Sequence, residues 1–279
     1  MALVFYWRSA DGSGESSGGG VFDPAGGLSG HLSGVDWGFT ADDAPTADPA
    51  RVPAASEGGA PSAGDFGGFN LGGHVGDDPA AVEANRCALA AEVGVPRDHL
   101  LFMAQCHGAQ VRTVDGPWQG DPPAVDGIVT SNPELALAVL VADCVPLLLA
   151  DPAAGVVGAV HAGRPGMLGG IVPTALAAMA QAGAREVHAL VGPSVCGRCY
   201  EVPAAMREEA ADVSPASVAL SWAGTPAIDV AAGVVDQLVA GGARVTWVPG
   251  CTRESPRLYS YRRRSRTGRF AGIVRGGRR

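Results

Sequence analysis

Residues 135–161 read LALAVLVADCVPLLLADPAAGVVGAVH. Three apolar, β-leaning runs (135–143, 146–150 and 156–161) are separated only by a cysteine step and by the turn DPAAG. Runs this short, with so little chain between them, predict adjacent strands buried on both faces. The longest uninterrupted apolar run, 135–142, has eight residues. A membrane-spanning helix needs about 18 or more, so none is expected.

Working outward, HLLFMAQC at 99–106 predicts a further strand. Asp78-Pro79 predicts a helix start, with Asp as N-cap and Pro in the first turn, running to about Glu92 and stopping near Gly94. On the other side the pattern predicts helices over 171–182, 202–211 and 230–240, and strands over 186–191 and 244–248. Strands and helices mix without a steady βαβ alternation. The expected fold class is therefore α+β, a layered sandwich of mixed β-sheets flanked by helices in a single domain, in place of a doubly wound sheet. No repeat of fixed period is present.

Residues 1–68 form a looser front. LVFYW (3–7) and GVDWGFT (34–40) predict strands, and the stretch 41–68, rich in Gly, Pro and Ala, predicts a flexible loop because it has little apolar surface to bury. The expected division is thus 1–68 as N-terminal strands and loop, 69–270 as catalytic domain, and 271–279 as a basic tail.

The chain has 279 residues and a formal net charge of −8. All 20 basic residues are arginine, and nine of them lie beyond Glu254, the last acidic residue. The first 254 residues therefore carry 11 − 28 = −17. An acidic body excludes a general nucleic-acid binder, and the absence of lysine excludes Schiff-base and P-loop lysine chemistry. Six cysteines in a chain of this length read as reduced thiols, and MALVFYW has no basic segment ahead of its apolar residues. The cytoplasm is the expected compartment. Nothing in the sequence signals an oligomeric state.

Three chemistry-bearing residues fall at expected strand ends: His107 in AQCHGAQV, Cys144 in VADCVP and His161 in AVHAG. Two imidazoles and a thiolate make a zinc site with the fourth position open, the pattern of a catalytic ion. Their spacings of 37 and 17 residues match no local zinc-finger arrangement. On spacing alone, three unrelated residues remain the alternative.

The segments FNLGGHVGDDPAAVEANR (69–86), QCHGAQV (105–111), VDGIVT (125–130), ADCVPLLLADP (142–152), VHAG (160–163), GPSVCGRCYEVP (192–203) and YSYRRRSRTGR (259–269) together resemble the polyphenol-oxidase or laccase-domain family, the YfiH-like proteins. That family is now generally regarded as purine nucleoside phosphorylases, and the resemblance spans about residues 69–270. It implies one catalytic Zn2+, in preference to copper, on His107, Cys144 and His161. It also implies phosphorolysis of adenosine, inosine or guanosine to free base and ribose 1-phosphate, with adenosine deamination and methylthioadenosine cleavage credited to related members. The partners it implies are a purine nucleoside and phosphate, with neither nucleic acid nor membrane. A four-copper laccase would need about ten histidines, because imidazole is the preferred copper ligand. This chain has six.

The resemblance also places Asn70 and His74 near the metal. His74 and, from its place beside Cys144, Asp143 are the candidate catalytic groups, and Asn70, Arg164, Arg262 and Arg263 the candidate substrate-binding residues. A helix-capping loop histidine, a hydrogen-bonded turn carboxylate and a solvated basic tail are the alternatives for His74, Asp143 and the Arg262-Arg263 pair. Two departures stand out. The family's H-A-G-W-R-G is here H-A-G-R-P-G, which displaces Arg164 by one position, and Arg264 replaces an expected Asp after Tyr261-Arg262-Arg263. Cys196-Gly-Arg-Cys199 has no second C-x-x-C partner and reads as structural, with a second metal or a redox role as the alternative. Cys87 and Cys106 read as core thiols, and Glu208-Glu209 as solvated. Two other functions stay open: a peptidoglycan-editing amidase on the same scaffold, and a non-catalytic zinc-stabilised binding protein with four protein ligands, Cys106 being the available fourth.

Overall fold

The three runs around Cys144 lie at the centre of a computed structural model that describes residues 32, 34–42 and 64–277 in full and residues 5–9 by their backbone. In chain order the strands are β1 (Phe5–Ser9), β2 (Val35–Thr40), β3 (Leu100–Leu101), β4 (Val111–Thr113), β5 (Gly127–Thr130), β6 (Ala136–Val141), β7 (Val145–Asp151), β8 (Val156–Ala162), β9 (His188–Val191), β10 (Val218–Leu220), β11 (Pro226–Ile228), β12 (Arg244–Trp247) and β13 (Phe270–Gly276). The helices are α1 (Pro79–Glu92), α2 (Arg164–Leu168), α3 (Ile171–Gln181), α4 (Ala204–Val213) and α5 (Val230–Ala240). One sheet has the order β1-β2-β13-β6-β3, a second β12-β9-β7-β8-β5-β4, and β10-β11 form a ribbon.

Side-chain alternation along these strands builds the layers. Leu137, Val139 and Val141 of β6 meet Leu148, Ala150, Val157 and Ala159 between the two large sheets. The alternate residues Ala136, Ala138 and Leu140 turn outward onto Leu89 and Ala90 of α1. Leu147, Leu149 and Val160 face the opposite way, onto α3 and α5 through Val172, Ala175, Met179, Val234 and Leu238. The α+β sandwich is therefore helix, sheet, sheet, helix. Strands β6, β7 and β8 are buried along their whole length, which is why they read as continuous apolar runs.

Helix α1 begins as its sequence predicts: the Asp78 carboxylate accepts from Ala80 N at 3.0 Å. The structure departs from expectation elsewhere. The strand predicted over 99–106 is only Leu100–Leu101. Beyond it the Gln105 side-chain amide does the pairing, donating to Leu140 O at 2.7 Å and accepting from Leu140 N at 2.8 Å. Residues 270–276, expected to open a basic tail from 271, form β13, paired on both sides with β2 and β6. Its apolar residues fill the sandwich, and Arg275 caps α1 by donating to Val93 O and Gly94 O at 2.8 and 3.0 Å. Of the front segment, β1 is the sheet edge and β2 lies inside it. Most of the loop expected over 41–68 lies outside the described residues.

Candidate metal centre and active-site cavity

Strand register brings the predicted trio together. In the β7–β8 pair Val145 lies opposite Ala162, so Cys144, just before β7, meets the end of β8 that carries His161. In the β5–β8 pair Gly127 lies opposite Val160, and His161 N donates to Asp126 O at 2.7 Å. β4 pairs in parallel with β5, and the chain entering β4 delivers His107. One ligand atom from each of His107, Cys144 and His161 lies within 4.8 Å of the others. The two imidazoles meet edge to face, with centroids 4.7 Å apart.

Among the described residues two non-glycines have left-handed backbone, His107 (φ 62°) and Asp143 (φ 97°), and both lie at this site. Such conformations cost energy and persist where surrounding contacts enforce them. For His107 the enforcing group is Asp126, fully buried, whose carboxylate accepts from Cys106 N, His107 N and Gly108 N at 3.2, 2.9 and 2.6 Å. The same carboxylate accepts from His161 Nδ1 at 2.8 Å and from the Cys106 thiol at 3.1 Å. Burial works against its charge, but these donors win and hold its carboxyl well below the usual carboxylate range. Asp126 escaped the sequence reading, although the VDGIVT motif contains it.

The electrostatics suit a cation. Burial pushes the Cys144 thiol up, yet the adjacent His161 and His107 outweigh it and bring it down to about 6. Burial likewise disfavours a charged His161, but the Cys144 thiolate and Asp126 raise it to about 9. The thiolate and the imidazoles thus favour a positive charge between them. An ionised Asp126 accepts a hydrogen bond from His161 Nδ1–H, which keeps the proton on Nδ1 and leaves Nε2 as the ligand atom. A thiolate and two imidazoles, one of them fixed in tautomer, fit a divalent metal.

Beside the trio opens a cavity of about 790 Å³, large enough for a drug-sized ligand. His74, Asp143, Arg164 and Arg262 line it, together with Tyr200, Tyr261 and Arg269, to which the sequence reading gave no role. His74 is exposed and stays outside the ligand cluster. Partial desolvation, then the charges of Arg269 and Arg86, lower its pKa. Asp143 has donors on both oxygens, Thr252 Oγ1 at 2.6 Å and Arg262 N at 2.7 Å. The Arg262 guanidinium lies 4.5 Å from the Tyr200 ring centroid and donates to Glu201 O at 2.9 Å. Arg164 reaches the rim but pairs with Glu209 at 3.2 Å, so Glu209 is not merely solvated.

Two of the expected substrate-binding residues lie off the cavity wall and are held by bonds within the chain. Asn70 is fully buried and off the cavity wall: its Oδ1 accepts from Gly72 N and Arg269 N, and its Nδ2 donates to Gly72 O and Asp77 Oδ2. It positions Arg269. Arg263 also lies off the wall, its guanidinium donating to the carbonyls of Thr252, Arg253, Ser255 and Leu258. Cys87 and Cys106 are exposed, not core thiols.

The family described as multi-copper polyphenol oxidoreductase laccase matches residues 54–276. The chain belongs to this family. A Streptomyces coelicolor protein named purine nucleoside phosphorylase is 55% identical over 210 residues, 74% of this chain and 87% of that one. A Streptomyces griseus protein of the same name is 53% identical over 221 residues, covering 77% and 90%. The crystal structure of YlmD from Geobacillus stearothermophilus superposes with a TM-score of 0.78 at 26% identity, over 99% of this chain and all of that one. A multi-copper laccase chemistry does not fit this donor set. Among the described residues two clusters could hold a metal, and together they contain two histidines, too few for a four-copper centre. No helix among those residues is long and apolar enough to cross a membrane.

Proposed function

We propose that the chain is a zinc-dependent purine nucleoside phosphorylase, acting in the cytoplasm on adenosine, inosine or guanosine. The observation that carries this reading is a three-ligand cluster opening into a cavity whose wall combines tyrosine rings with arginines. The names of the Streptomyces relatives agree with it. His107, Cys144 and His161 would hold the ion, which supplies a Lewis acid next to the bound substrate. Tyr200 and Tyr261 offer ring faces and edges to a purine. Arg262 and Arg269 offer fixed guanidinium groups to phosphate, the nucleophile that displaces the base at the anomeric carbon. His74, on the cavity wall with its pKa lowered by desolvation and the neighbouring arginines, is the candidate acid–base group. Asp143 acts as a positioning residue, fixing the Arg262 backbone.

A closed four-ligand binding protein is disfavoured because the Cys106 thiol is bonded to Asp126 and lies outside the cluster. The test is purine release from adenosine, inosine and guanosine by zinc-loaded protein, with and without phosphate, with adenosine deamination and methylthioadenosine cleavage followed in parallel. Phosphate-dependent base release, lost in Cys144→Ala, is the expected result. No release from zinc-replete protein in either buffer overturns the reading and directs the same sample to muramyl-amino-acid precursors.

A further inference from the structure

The second cluster is formed by residues that lie far apart in the chain. Cys196, Cys199, Cys251 and Glu254 place three thiol sulfurs and a carboxylate oxygen within 4.8 Å of one another. Each half is a tight turn: Cys199 N donates to Cys196 O at 2.9 Å, and Glu254 N donates to Cys251 O at 3.2 Å. The sequence therefore contains a C-x-x-C hook whose partner is C-x-x-E, invisible to a search for a second C-x-x-C. The hooks are held face to face by backbone, since Ser194 bridges Cys251, with Ser194 N donating to Gly250 O and Thr252 N to Ser194 O. The carboxylate is oriented from outside: Trp222 Nε1 donates to Glu254 Oε1 at 3.2 Å, and the Cys199 thiol reaches the same oxygen at 3.2 Å. All three cysteines are free thiols.

We propose that Cys196, Cys199, Cys251 and Glu254 form a second, structural zinc site. Four ligands on two four-residue hooks close a tetrahedral shell, leaving no position for substrate. Thiolate-rich sets select zinc among the common divalent ions, and the indole bond to Glu254 is the outer partner such ligands usually have. The site staples segment 194–200 to segment 250–255. The first carries Tyr200 to the cavity. The second presents Thr252 to Asp143 and carbonyls to Arg263. The ion would thus brace one wall of the active-site cavity without touching substrate.

The test is metal content of the full-length protein expressed with added Zn2+ and desalted. Two zinc ions per chain are expected. The count should halve in Cys196→Ser and in Cys251→Ser, which lose the ion of the second cluster, and in Cys144→Ala, which loses the ion of the trio. Replacement by Co2+ gives a readout on the wild-type chain alone, so it survives any folding failure of the serine variants. Its sulfur-to-metal charge-transfer absorption should report three thiolates on one ion and one on the other. A wild-type count of one that Cys144→Ala abolishes overturns the assignment, as does a Cys196–Cys251 disulfide in anaerobically purified protein. A count of one that survives Cys144→Ala and is lost in the serine variants supports it and removes the ion from the trio, so the two readings fail separately.

Discussion

Asp126 Oδ1 lies 2.8 Å from His161 Nδ1, with both side chains buried where β5 and β8 meet. One carboxylate thus fixes the tautomer of a candidate ligand and holds the strained turn that presents another, His107. Asp126→Asn keeps the shape but sets an NH2 group against one set of donors. Loss of such an outer partner typically weakens metal binding 10–100-fold. Chelator competition on the folded variant should show a weakening of about that size, with phosphorolysis at limiting zinc falling in proportion. Unchanged zinc affinity would remove Asp126 from this role.

Gly163 follows His161 by two residues, and its missing side chain is a requirement of the site. A Cβ there would stand 3.0 Å from His107 Cδ2 and 3.2 Å from Cys144 Sγ. Gly163→Ala should therefore displace a ligand. Overpacking of this kind costs roughly 1–3 kcal/mol, which corresponds to about a 5–150-fold loss of kcat/KM if it falls on the reactive geometry. Gly120→Ala, where nothing lies within 4 Å, is the control and should behave as wild type.

Asp151, at the end of β7, tests the fold independently of any metal. Its carboxylate accepts from Ala154 N at 3.0 Å, Arg185 N at 2.6 Å and Glu186 N at 3.0 Å. Burial opposes its charge, but these donors prevail and its pKa is lowered. A depressed carboxylate contributes stability that is present above its unfolded value of about 3.9 and is lost as pH falls through the folded one. Asp151→Asn should cost roughly 2–3 kcal/mol near neutral pH. The gap in melting temperature between wild type and variant should narrow below about pH 4. A gap that widens on acidification would refute the argument.

Much of this was legible because it is local. Apolar runs broken by Cys144 and ended by His161 announce strands whose ends can meet. What escaped depends on distant chain. Asp126 is a single carboxylate in a turn until β5 pairs with β8. Cys199 and Glu254 are 55 residues apart, and neither hook predicts the other. In FAGIVRG the surrounding arginines masked a buried strand, since charge was counted where the continuous apolar run FAGIV carried the signal. Arg262 and Arg263 look equivalent in sequence. Only the carbonyls of a folded loop separate them.

That separation gives the last prediction. The Arg263 guanidinium donates to the carbonyls of Thr252, Arg253, Ser255 and Leu258, whereas Arg262 holds one carbonyl and otherwise lies over Tyr200 in the cavity. Arg263→Ala leaves those carbonyls without their cationic donor. Bonds to charged groups contribute about 1.5–3 kcal/mol each, and truncation should cost at least one such unit in stability. Arg263→Lys should rescue it incompletely, because an ammonium cannot reproduce the planar fork. Arg262→Ala should melt close to wild type and instead raise KM for phosphate about tenfold or more, the loss of one charge-assisted contact to an anion. Melting curves and phosphate titrations of the three variants separate the roles. Equal effects on stability and KM from both arginines would show that the adjacent side chains share one function.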